Sequence, residues 1–157
     1  MNSIKVYIDK VTSYIEIILG AAIGVCLLVI NYQVVMRYFF NDSPSWAEEL
    51  ARYINAAVTF FGTAIAVRVG SHVSLDFLPS LLSESVRRKL NIINEIICLL
   101  FFIILFISSY SYMKDAGDQL AASLRIPMAI PYSAILLSAV LGFVYSLEQL
   151  INKIGAK

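Results

Sequence analysis

Histidine is almost absent from this 157-residue sequence: His72 stands alone, and cysteine occurs only twice. One histidine leaves little for acid–base catalysis. No Ser/His/Asp arrangement, glycine-rich phosphate loop or Cys/His metal spacing is present either. Cys26 and Cys98 each fall inside an apolar run, so they read as small buried hydrophobes and not as a disulfide or a metal pair. A haem anchor would want histidine within its membrane segments, and His72 lies between two of them. The net charge of +1 gives no argument for a nucleic-acid partner. Internal repeats and low-complexity segments are lacking. Nothing here points to an enzyme, and no cofactor or metal is expected.

What the chain has instead is apolar length. Hydrophobic residues make up 59% of it, against about 45–50% in a soluble domain. The excess is gathered into runs long enough to cross a hydrocarbon core at 1.5 Å per residue. The expected fold is an all-α integral membrane protein, a single membrane domain over 1–157. Its four transmembrane helices run over about 11–36, 44–69, 86–113 and 129–150, with short amphipathic interfacial segments. Residues 1–10 mix apolar and charged side chains, so they either lie at the surface or extend the first helix. The apolar run after them is too long for a signal-peptide core, and no cleavable leader is expected.

Span one carries 20 uncharged residues between Glu16 and Arg37. Gly20 and Gly24 form a small-xxx-small pair that allows close helix approach. Span two is uncharged over only 15 residues, Tyr53 to Val67, so Arg52 and Arg68 must snorkel, or Arg52 must lie paired in a polar niche. Arg52, Asn55, Thr59, Gly62 and Ala66 step by three and four, which predicts one packed face opposite Val58, Phe60, Phe61 and Ile65. Asn31 and Asn55 are expected at similar depth, close enough to bond. The connector at 70–85 holds His72 and Asp76 four residues apart, a loop anchor and not a metal site. Glu95, one turn inside the basic cluster Arg87-Arg88-Lys89, is the one carboxylate well within an apolar segment. It is expected to pair with Arg88 or with another subunit. The connector from Asp115 to Met128 reads as a short amphipathic piece, and Pro131 is tolerated in the first turn of span four.

The polar chemistry is concentrated in RYFFNDSPSWAEELAR, Arg37 to Arg52. Asn41, Asp42, Ser43 and Pro44 are turn formers. A helix then starts, capped either by Ser43 with Pro44 at its first position or by Ser45 with Glu48 in a capping box. Trp46 is an interfacial anchor. Glu48 leads Arg52 by four, the favourable order for an ion pair. Eight Lys and Arg residues lie on one side (5, 10, 68, 87, 88, 89, 153, 157) and four on the other (37, 52, 114, 125). The positive-inside rule then places both termini in the cytoplasm. No span carries a charge or a Gly/Pro break at its centre, where transporters bind their cargo. The chain looks built to pack against something larger.

Arg37-Tyr38, Asn41, Ser43, Trp46, Glu48-Glu49 and Arg52 resemble the RYxxNxSxxWxEExxR pattern of the small membrane subunit of TRAP (tripartite ATP-independent periplasmic) transporters. Arg68, Gly70, His72-Val73 and Asp76 are similar to the RxGxHVxxD element that follows the second span there. The resemblance extends over nearly the whole chain. It implies a subunit of a Na⁺-coupled importer of organic acids, of the sialic acid or C4-dicarboxylate type, in a bacterial inner membrane. The implied partners are a large membrane subunit (DctM/SiaM-like), a periplasmic substrate-binding protein (DctP/SiaP-like) and membrane lipid. The large subunit would carry cargo, and this one would brace it and widen the docking surface. Two other readings stay open: a self-assembling four-helix proton-coupled exporter using Glu16, and an anchor or assembly subunit of another complex.

Overall fold

The computed structural model describes residues 2–69 and 84–155. Among the described residues four helices occur in chain order: α1 (Asn2–Phe39), α2 (Ser45–Val69), α3 (Glu84–Ala116) and α4 (Ala129–Gly155). Each is long and apolar enough to cross a membrane, as the apolar runs predict. Residues 2–10 continue α1 without a break. That helix has 38 residues, about 57 Å at 1.5 Å per residue. A hydrocarbon core is about 30 Å thick, so α1 must tilt or project beyond it. Pro131 does sit in the first turn of α4, where the missing N–H has no helical partner to lose.

α4 is the central element. It packs along α3 on one side and α2 on the other, while α1 packs along α2. The core joins Ala64 and Val67 of α2, Cys98 and Phe102 of α3, and Tyr145 of α4. Its tightest point is Gly142. A Cβ there would lie 2.1 Å from the Phe102 ring, so the ring rests directly on the α4 backbone. Lipid tails are as apolar as this core, so the gain here comes from close packing and not from leaving water.

The start of α2 departs from expectation. α2 begins at Ser45, and its first backbone bond runs from Ala47 N–H to the Pro44 carbonyl (3.0 Å). Pro44 therefore precedes the helix, and neither Ser43 nor Ser45 makes a side-chain cap among the described residues. The short segment between α3 and α4 is a hairpin. Leu120 and Pro127 form an antiparallel bridge. The Ala121 N–H donates to the Ile126 carbonyl (2.8 Å), and the Met128 N–H to the Gln119 carbonyl (2.8 Å). The cause is local. Gly117 ends α3 where a Cβ would meet the Met113 carbonyl at 2.4 Å, and Pro127 disfavours helical backbone at Ile126.

Candidate functional site

The end of the bundle that carries the α1–α2 turn and the α3–α4 hairpin holds most of the residues singled out in the sequence. Asn41 closes the turn with φ of 51°, a left-handed conformation that asparagine tolerates. Arg37, Tyr38 and Ser43 are exposed. Trp46 leans on Tyr32 of α1, ring centroids 5.9 Å apart. Glu48 pairs with Arg52 at 3.1 Å, and both side chains are about two-thirds exposed (66% and 69%), so the pair adds little stability.

Glu49 does something different. Its carboxylate accepts three consecutive backbone N–H groups of the hairpin: Ala122 at 3.1 Å, Ser123 at 2.8 Å and Leu124 at 2.8 Å. The Tyr53 hydroxyl lies 3.0 Å from the same carboxylate and 3.3 Å from the Met128 sulfur. Consecutive amides of this kind form an anion-binding nest, and here the anion is a side chain of α2. Its position on the second turn of α2 aims Glu49 across the bundle end, while Glu48 points outward.

The opposite end holds a second node. The Arg68 guanidinium donates to the Ile8 carbonyl at 2.8 Å, to Thr12 Oγ1 and to Asp9. It also lies 5.0 Å from the centre of the Tyr145 ring. Thr12 gives its one proton to the Ile8 carbonyl, so the Tyr145 hydroxyl, 2.8 Å away, is the donor to Thr12. Gln149 donates to the Arg68 carbonyl. Arg68 thus ties α1, α2 and α4 together, whereas Arg52, for which a polar niche was the alternative, is exposed. Nearby, Glu95 is buried at 4% exposure. It accepts from Lys153 Nζ at 2.5 Å and faces Ser146 Oγ at 3.5 Å. Its partner is therefore Lys153 and not Arg88, whose guanidinium reaches the Ile154 carbonyl instead (3.3 Å).

Two expectations about α2 are overturned. Asn31 donates to the Leu27 carbonyl of its own helix (2.7 Å) and not to Asn55. Of the stripe Arg52, Asn55, Thr59, Gly62 and Ala66, none is buried among the described residues. Arg52, Asn55 and Thr59 are exposed, and nothing lies within 4 Å of a Cβ placed on Gly62. The buried positions are Ala47, Ala64 and Val67. Thr59 and Thr63 bond back to carbonyls of their own helix (2.8 Å each), which makes that face tolerable without an internal neighbour. Gly20 and Gly24 are likewise open. His72 and Asp76 lie outside the described residues.

Asp9, Thr12, Tyr145, Gln149 and Lys153 were not marked in the sequence. A signal existed on α4: Ser138, Gly142, Tyr145, Gln149 and Lys153 also step by three and four, and that stripe is the packed one. A cleft of about 240 Å³ between α3 and α4 is lined by Phe102, Ile103, Phe106, Ala139, Val140 and Phe143. It offers an ion or polar solute nothing to bind. No cluster of metal-ligating side chains occurs among the described residues. The arrangement is suited to holding two bundle ends rigid, with its remaining polar groups turned outward.

A family model described as tripartite ATP-independent periplasmic transporters, DctQ component, matches residues 26–155. The sialic acid TRAP transporter permease protein SiaT of Haemophilus influenzae is 30% identical over 137 residues, 83% of this chain and 22% of that protein. The sialic acid TRAP transporter small permease protein SiaQ of Vibrio cholerae is 32% identical over 96 residues, 61% of this chain and 54% of that one. The C4-dicarboxylate TRAP transporter small permease protein DctQ of Vibrio cholerae is 29% identical over 97 residues, covering 62% and 42%. The chain therefore spans between about a fifth and half of the length of these relatives.

Proposed function

Because this chain belongs to the DctQ component family of the tripartite ATP-independent periplasmic transporters, we propose that it is the static brace of such a system. It packs against a large permease subunit that carries organic acid with Na⁺, and adds to the surface on which a soluble substrate-binding protein docks. Both termini lie in the cytoplasm and the membrane is the bacterial inner one. The hairpin and the α1–α2 turn then face the periplasm, in line with the eight-to-four bias of Lys and Arg. Sialic acid is the favoured cargo class, with C4-dicarboxylate second, because relatives named for each are similar to this chain.

The observation that carries the reading is the open face of α2. Arg52, Asn55 and Gly62 lie on a membrane-spanning helix with no packing partner there among the described residues. Lipid tails supply neither hydrogen bonds nor close packing to such a face, and a second polypeptide supplies both. In the permease SiaT the similar stretch is 22% of a much longer chain, which agrees with a large companion. The cleft lacks polar lining, which agrees with cargo travelling elsewhere.

Co-purification with a large permease subunit from the same cells tests this. Asn55→Leu combined with Gly62→Leu should release the large subunit while the isolated chain keeps its thermal midpoint. A variant chain that stays bound and supports full uptake would refute the proposed interface. Solute uptake by vesicles holding this chain alone would favour the exporter reading instead.

A further inference from the structure

The geometry points to the 117–128 hairpin as a preformed contact element for the soluble substrate-binding protein. Arg125 is its carboxylate-recognising group, and Glu49 is the residue that holds it in position. This inference rests on the proposed function, which puts the hairpin on the periplasmic side.

The hairpin is fixed twice. At its base, the Leu120–Pro127 bridge and the Met128 N–H to Gln119 carbonyl bond close the loop. At its tip, the Ala122, Ser123 and Leu124 amides converge on Glu49, 73 to 75 positions away in sequence. Surface connections are ordinarily the least stable parts of a fold. A loop clamped at both ends by long-range bonds keeps one shape. Glu49 also fills the amide nest, so the hairpin has no backbone donors there for an anion from outside.

What the clamp displays is Arg125. Its backbone is left-handed, φ 53°, a region that non-glycine residues other than Asn and Asp rarely occupy. The Arg125 N–H donates to the Ala121 carbonyl at 3.0 Å, which locks that conformation. Strained backbone of this kind persists where the surroundings over-determine it, and it concentrates at functional positions. The side chain is exposed and makes no hydrogen bond or ion pair among the described residues. Leu120 (61% exposed) and Pro127 flank it on the same hairpin. A fixed guanidinium with apolar shoulders suits a carboxylate on a folded protein surface, where planar two-point bonding adds specificity. A fluid lipid headgroup would gain nothing from a clamped backbone.

Two measurements test the two halves. First, hydrogen exchange on the purified chain: the amides of Ala122, Ser123 and Leu124 should exchange about tenfold faster in Glu49→Gln than in wild type. Equal rates would overturn the latch. If the variant does not fold, wild type decides alone, since exchange at unstructured-peptide rates would overturn it equally. Second, uptake by vesicles holding both membrane subunits, as a function of the concentration of loaded binding protein. Arg125→Glu should raise the half-saturating concentration about three- to tenfold, leaving the maximal rate and co-purification with the large subunit unchanged. Glu49→Gln should shift the same parameter in the same direction. An unchanged half-saturation for Arg125→Glu would overturn the docking assignment while leaving the proposed function intact. A shift seen only in anionic-lipid vesicles would give the guanidinium to headgroups and overturn it too. Failure of the wild-type chain to co-purify with any large subunit would remove the proposed function and this inference with it.

Discussion

Gly142 and the Glu95–Lys153 pair set the internal stability of the bundle at single positions. The Phe102 ring occupies the space a side chain at 142 would need, so Gly142→Ala forces ring and backbone apart. The expected cost is about 1–3 kcal/mol, as for other overpacked cores. Thermal unfolding in detergent should show it as a lowered midpoint, and adding Phe102→Leu should restore part of the loss. By contrast Gly24→Ala, on an open face, should leave the midpoint where it is; an equal drop at both sites would contradict the packing described. Lys153→Met strands the buried Glu95 carboxylate. Removing one partner of a fully buried pair costs about 3–5 kcal/mol. Lys153 is 32% exposed, so about 2 kcal/mol is expected. Glu95→Gln added to Lys153→Met should recover most of it, because the neutral amide can still meet Ser146. A denaturant titration of the three variants reads this directly.

At the scale of elements, the helices divide into a packed pair and an edge. α4 lies buried between α2 and α3, while α1 is the least covered of the four. Arg68 tethers the first turns of α1 through Ile8, Asp9 and Thr12. Arg68→Met should therefore free the first turns of α1 without loosening α3 or α4. Hydrogen-bond losses to a charged donor run at about 1.5–3 kcal/mol each, which predicts at least tenfold faster exchange over residues 6–12. Uniform loosening of the whole bundle would show that Arg68 supports the core and not this one tether. On α2, the exposed stripe and the buried line run along different sides. That separation lets one helix serve the chain's own core and a neighbour at once.

For the whole molecule, orientation is the property with the most consequences. Ser43→Cys and Asn152→Cys, each in a background of Cys26→Ala and Cys98→Ala, place single thiols at opposite ends. A membrane-impermeant thiol reagent added to intact cells with a permeable outer membrane should label position 43 and spare position 152 until the inner membrane is opened. The reverse pattern would turn the hairpin inward and remove its access to any periplasmic partner.

Much of the architecture was legible from residue order. Apolar run length alone dictates four membrane helices, because a hydrocarbon core admits only backbones that bond internally. The lack of central charge, and the polar motif between Arg37 and Arg52, likewise follow from composition and spacing. Local pairs were readable too: Glu48 and Arg52 meet because four residues make one helical turn. Which stripe would be buried was not readable. α2 and α4 both carry small and polar residues at helical spacing, and only the packing of α4 between two neighbours decides that its stripe is the internal one. The same limit hid the partners of Glu49, Arg68 and Glu95. A carboxylate and three amides more than seventy positions apart carry no mutual signal along the chain. They meet because α2 starts at the level of the bundle where the hairpin between α3 and α4, shaped by Gly117 and Pro127, turns.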